Sequence, residues 1–157
     1  MLRTQIPDAA QYTSPVAFPG VTDGSNAGAG YVGEYVMSAM AFGSAQALST
    51  GTALNLFTLS LTAGDWDVEA NVNFSFSAAT STDHSCGINT TSLTIPSDGT
   101  GISSGVQTTT ATVVDAITLP RKRISISATT NVYVVAKATF TVGSVSVYGG
   151  VSARRAR

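Results

Sequence analysis

From Asp65 to Ser77 polar and apolar residues alternate without a break. Trp66, Val68, Ala70, Val72, Phe74 and Phe76 fall on one side; Asp65, Asp67, Glu69, Asn71, Asn73, Ser75 and Ser77 fall on the other. Successive side chains of a strand point to opposite faces, whereas a helix repeats every 3.6 residues. The stretch therefore predicts one long strand with a buried face and a wet face, the pattern of an antiparallel sheet. Trp66, Phe74 and Phe76 are its core anchors, and the indole N–H of Trp66 calls for a hydrogen-bond partner.

The other periodic segments read as strands as well. The run YVGEYVMSAMAF (31–42) fits a helix too, but Tyr31, Val32, Tyr35 and Val36 favour a strand. LNLFTLSL (54–61) is a short apolar run after a Gly-containing turn, and HSCGINTTSLTI (84–95) is a weaker strand broken at Gly87. SDGTGISSG (97–105) reads as a loop. VQTTTATVVDAITLP (106–120) is a Thr-rich strand stopped by Pro120, and RISISA (123–128) alternates with Ile124 and Ile126 inward. In NVYVVAKATF (131–140), Val132, Val134, Ala136, Ala138 and Phe140 share a face, and VGSVSVYGGVSARR (142–155) is a last strand kinked at Gly149-Gly150. About eight strands, short turns and no helix predict an all-β antiparallel sandwich, jelly-roll-like, over residues 31–157. Residues 1–30 have no period and are rich in Pro, Gly, Ser and Ala. They read either as a solvated tail or as an extended N-terminal arm whose Tyr12 and Phe18 insert into a neighbour.

Only 11% of the residues are charged, and roughly a quarter are Ser or Thr. A surface of hydroxyls suits β structure and suits burial under partners, because few charges have to be desolvated. The net charge of −1 gives no footprint for nucleic acid, and no apolar run reaches membrane-spanning length. With Cys86 alone no intrachain disulfide forms, and MLRTQIPDAAQY lacks the apolar core of a signal peptide. Six of the eight basic residues lie in two clusters, Arg121–Arg123 and Arg154, Arg155, Arg157. The second protrudes beyond a strand expected to stop near Ala153 and is a candidate for docking on acidic partners.

Reactive constellations are scarce. Gly28, Gly30 and Gly33 match a dinucleotide fingerprint, but no strand precedes them and no acid follows at the needed spacing, so a hinge is the better reading. His84 and Cys86 share a strand face; without a third group they form no nucleophile pair, though three copies on a threefold axis would offer metal ligands. Asp65, Asp67 and Glu69 lie on a wet face rather than across a cleft, as glycoside hydrolysis needs; they keep a sheet soluble or form an acidic docking patch. The expectation is a protein without catalytic residues, cofactor or metal.

VTDGSNAGAGYVGEYV (21–36), LTAGDWDVEANVNF (61–74) and NVYVVAKATFTVGSVSVYGGVSARRAR (131–157) together resemble a family of small phage and prophage virion proteins. The Gly64-Asp65-Trp66-Asp67-Val68 turn into a strand and the Tyr-Gly-x-x-Ser-Ala-Arg-Arg ending carry it most specifically; residues 78–120 carry none of it. The resemblance implies a β-rich, oligomeric virion component, commonly a trimer, and transfers no catalytic residue. The expected function is a homotrimeric capsid decoration (cement) protein on the outer surface of a phage head. It would bind the major capsid protein through Tyr12, Phe18, Arg154, Arg155 and Arg157, with neither nucleic acid nor membrane as partner. The alternative is the receptor-binding tip of a tail fibre or spike, reading the host surface through 78–105 and 106–118.

Overall fold

The computed structural model of the chain describes residues 23–105 and 113–157. Within them lie nine strands and a single 3-10 turn. The strands are β1 (Tyr35–Met40), β2 (Gln46–Ala47), β3 (Leu54–Leu61), β4 (Gly64–Ser77), β5 (Ser81–Asn89), β6 (Ile102–Gly105), β7 (Val113–Ile126), β8 (Thr130–Phe140) and β9 (Ser144–Arg155). One sheet runs β1-β9-β4-β7, with β2 also on β9; the other runs β3-β8-β5-β6. All pairings are antiparallel. The pairs β1·β9, β3·β8, β4·β7 and β5·β6 nest like the two arms of one long hairpin, which the contacts β4·β9 and β5·β8 roll into a two-sheet sandwich. This is jelly-roll topology.

The alternation of β4 sets the core. Trp66, Val68, Val72, Phe74 and Phe76 are fully buried between the sheets, and the Trp66 indole donates to the Thr62 carbonyl at 2.9 Å. Burying five such side chains contributes on the order of 10 kcal/mol before entropy is counted. Leu59 and Leu61 of β3, Val132 and Val134 of β8, and Val145 and Val147 of β9 close over them.

Four sequence expectations change. Pro120 does not stop a strand: β7 runs through it as the edge of the first sheet. A bulge faces Glu69 where the ladder steps from Val68↔Lys122 to Ala70↔Leu119, so Pro120 occupies the kind of site where its missing N–H is tolerated. The inward phase shifts there, from Ile117 and Leu119 to Ile124 and Ile126. Residues 102–105 are a strand rather than a loop, and β5 passes through Gly87, where a Cβ would collide with Pro96. Lastly, the first jelly-roll strand is split. Met40 faces Gly149 and Gln46 faces Val147, so the turn at Phe42–Ser44 loops residues out between two strands on one partner.

The last eight residues assigned to an arm, 23–30, are fastened to the body. Asn26 donates to the Tyr35 carbonyl at 2.6 Å and accepts from the Tyr35 N–H at 2.9 Å. The three glycines are part of a turn, not of a nucleotide loop. The Gly30 N–H donates to Glu34 Oε2 and the Gly33 N–H to the Arg155 carbonyl, with positive φ at both glycines.

Candidate functional site

The polar side of β4 faces outward on the first sheet, beside the outward residues of β9 and β1. Asn71 lies between Gly150 and Thr118, and Asn73 between Tyr148 and Ala116. Gly149 and Gly150 present no side chain, so the sheet is hollowed there into a groove of about 590 Å³. Gly149 is required: its φ is +151°, and a Cβ would run into the Asn71 carbonyl. Tyr148 stands at one end, held edge-on by Phe42 with ring centroids 5.4 Å apart, and Tyr35 at the other. Met37 and Glu69 line the sides. Aromatic edges with carboxylate, amide and hydroxyl groups suit a polar ligand with apolar faces, and the volume lies in the range of small-ligand sites.

The basic cluster at the C-terminus is placed differently from expectation. β9 continues to Arg155, whose side chain turns inward and is 4% exposed. Its Nε donates to Glu34 Oε2 at 2.9 Å, Nη1 to the Ala63 carbonyl at 2.7 Å and Nη2 to the Thr62 hydroxyl. The guanidinium lies 4.4 Å from the Trp66 ring centroid, a cation–π contact. Gly64 makes the space, since a Cβ there would overlap Arg155 Nη1. The Gly30 N–H, and then Arg155, hold the Glu34 carboxyl below the usual carboxylate range. Arg155 is therefore removed from the partner-binding set: it is an internal latch closing the chain's end over its only tryptophan.

Asp65, expected on the wet face, is 5% exposed because basic residues cover it. Arg123 pairs with it through Nε at 2.8 Å and through Nη2, and Arg157 Nε donates at 2.6 Å. Arg123 first, then Arg157, hold its carboxyl far below the ordinary range. Arg157 remains exposed but is engaged internally. Arg121 reaches Asp67 at 3.4 Å, and Lys122 reaches Asp98 at 3.5 Å. Arg154, on the outer face between Tyr35 and Asp67, makes no ion pair among the described residues. Tyr12 and Phe18 lie outside the described residues. Trp66, Phe74 and Phe76 are fully buried.

His84 and Cys86 point into the core together. The His84 ring packs against Phe74 and Phe76, at 4.9 and 5.2 Å between centroids, and its Nε2 is 2.7 Å from Asp115 Oδ2. Nδ1 is buried without a protein partner among the described residues. Burial, and then the charge of Asp115, push the Cys86 thiol up to about 12, so it is no thiolate nucleophile near neutral pH. No group of three or more metal-ligating side chains occurs among the described residues. Asp115 went unnoticed in the sequence, although its inward phase with Ile117 and Leu119 was readable.

No protein-family model matches the chain, and no curated protein matches it. Among solved structures, one titled as that of infectious bursal disease virus, Gx strain, aligns over 90% of this chain with 14% identity and a TM-score of 0.49. The chain spans 37% of that protein's length. A likeness of that size carries no weight for fold or function, and the jelly-roll assignment rests on the strand ladders alone.

Proposed function

We propose that the protein is a structural component of a phage virion, acting as a decoration protein that binds the outside of the head and bridges capsomers. The observation that carries this reading is the placement of charge. The basic residues of both clusters other than Arg154 are tied to the chain's own acids, leaving a jelly roll of low charge content whose basic clusters are compensated within the chain. Such surfaces suit extended burial against a shell, since few charges need be desolvated. The resemblance of residues 21–36, 61–74 and 131–157 to small phage virion proteins supports the same reading. The mechanism is mass action: a ligand that binds only the closed shell stabilises it, and several sites per oligomer multiply the effect. The test is copy number, read from band intensity in a gel of purified virions. Hundreds of copies per particle are expected, and tens or fewer would overturn the assignment.

The groove over Gly149 and Gly150 favours a second reading, the tip of a fibre or spike in which Tyr35, Tyr148, Asn71 and Asn73 contact a host-surface ligand. That reading requires a low copy number and purified protein that blocks adsorption.

A further inference from the structure

A sandwich of two open sheets has four edge strands, and an exposed edge is a template for pairing with another chain unless it is blunted. Three are blunted here. β6 has only four residues among those described. β7 carries Pro120, a bulge and Arg121, Lys122 and Arg123. β3 is bulged after Asn55, whose side chain is bonded to Ser92 and Leu93, and along its length only Thr58 and Ser60 are exposed.

β1 has none of these devices, and only its Tyr35 end is covered, by Asn26. Its sequence YVMSAM contains no charge and no proline, and no charged residue occurs from Tyr35 to Gly64. Its backbone groups alternate between the β9 ladder and the outside. Arg155 N–H donates to the Glu34 carbonyl at 2.9 Å, so the even-numbered residues face β9. Asn26 bonds both backbone groups of Tyr35, so the odd-numbered residues face outward. Met37 and Ala39 thus point their N–H and C=O groups away from the sheet, without a backbone partner among the described residues. Around this edge are large exposed apolar side chains: Met37 and Phe42 at 60%, Val32 at 68% and Tyr31 at 72%.

We propose that β1 pairs antiparallel with β1 of a second copy across a twofold axis at Ser38. In that register Met37 exchanges both backbone hydrogen bonds with Ala39 of the second copy, and Ala39 does the same with its Met37. The long side chain covers the short one on the outer face. The antiparallel register puts the end of one β1 that leads into Phe42 beside the end of the other that follows the Tyr31–Val32 turn. The exposed apolar groups at the two ends of the edge are thereby brought together. The edge is neutral, so two copies meet without like-charge repulsion. The side chains named expose on the order of 500 Å² per copy, and the strand edge adds to that, approaching the ~800 Å² per partner of a stable interface. A twofold contact does not itself make a threefold assembly; a trimer would need another surface. The pairing is a property of the isolated protein and stands or falls independently of attachment to a virion.

The test uses the full chain, wild type and the variants M37K and A39K, with mass from light scattering across a concentration series and amide exchange read at Met37 and Ala39. The wild type is expected to rise from one to two chain masses, with both amides protected in the larger species. M37K and A39K should stay at one mass, with unchanged circular dichroism and the melting temperature that the wild type shows at dilutions where it is monomeric, a loss of at least tenfold in association. A wild type that remains monomeric with both amides exchanging freely overturns the proposal. So does a three-chain mass indifferent to M37K. So too does a monomer whose two amides are protected and become exposed on deletion of residues 1–22, which would make the chain's own N-terminal segment the occupant.

Discussion

Two buried nitrogen-bearing side chains, Arg155 and His84, sit on the same hydrophobic core and are treated in opposite ways. Arg155 closes one end of the sandwich with every face occupied: a carboxylate, a carbonyl, a hydroxyl and an indole ring surround it. His84 lies in the middle between two phenylalanines, with one partner at Nε2 and none at Nδ1 among the described residues. A buried charge whose partners are complete is expensive to break, because removing one member leaves the others desolvated and unpaired. A half-satisfied ring carries less of the fold, since replacing it by an apolar group of similar volume loses one hydrogen bond and removes an orphan. Arg155 thus specifies how the start of β1 meets the end of β9, whereas His84 mainly fills space.

The largest expected effect follows from the latch. Arg155→Ala leaves Glu34 buried without its counter-charge and should cost about 3–5 kcal/mol. Chemical denaturation followed by Trp66 fluorescence measures this; a cost under about 1 kcal/mol would mean that water replaces the guanidinium freely. His84→Leu should cost less than about 1.5 kcal/mol, because Asp115 is 28% exposed in its side chain and can turn to water. Equal costs at His84 and Arg155 would mean that the half-satisfied ring holds the fold as firmly as the fully paired guanidinium.

Acid sharpens the contrast. Glu34 and Asp65 have folded-state pKa values below their unfolded ones, so their contribution is present above about pH 4 and is lost as pH falls through the folded values. Melting temperature should therefore fall with pH below about 4. Asp65→Asn should lower stability at neutral pH and flatten that acid limb; an unchanged limb would mean the Arg123 and Arg157 contacts contribute nothing to folding. The smallest effect belongs to Arg154→Gln, expected within about 0.5 kcal/mol of wild type because the side chain is exposed and makes no ion pair among the described residues. A larger loss would reveal a role in holding the Asp67 side of the sheet.

Regular alternation carried the parts of the fold that were legible in the sequence. β4 is read directly because one of its faces is wholly buried, and β8 follows for the same reason, whereas β3 is read as an apolar run after a turn. β7 reads as two strands because proline normally ends a ladder, and only its position at a sheet edge, which the chain reveals in three dimensions, permits the bulge. β6 hides because four Gly- and Ser-rich residues hold no period. The Arg155 latch was not legible at all: it depends on a missing Cβ at Gly64 and a carboxylate at Glu34, both remote in sequence. The acids of β4 looked solvated because alternation assigns a face but cannot show that arginines on β7 and beyond β9 will cover one of them.

The position of β9 between β1 and β4 also imposes an order in time. Tyr35 is made well before its ladder partner Arg154, and the sheet has no floor between β1 and β4 until residues 144–155 have been synthesised. During translation the neutral, apolar β1 therefore waits with both of its edges open while the rest of the roll accumulates. Pairings this distant along the chain form slowly, and unpaired strands that wait are prone to stick. A ribosome that stalls before Ser144 leaves a chain that cannot close its first sheet, so the dozen codons for residues 144–155 decide between a folded jelly roll and an aggregate.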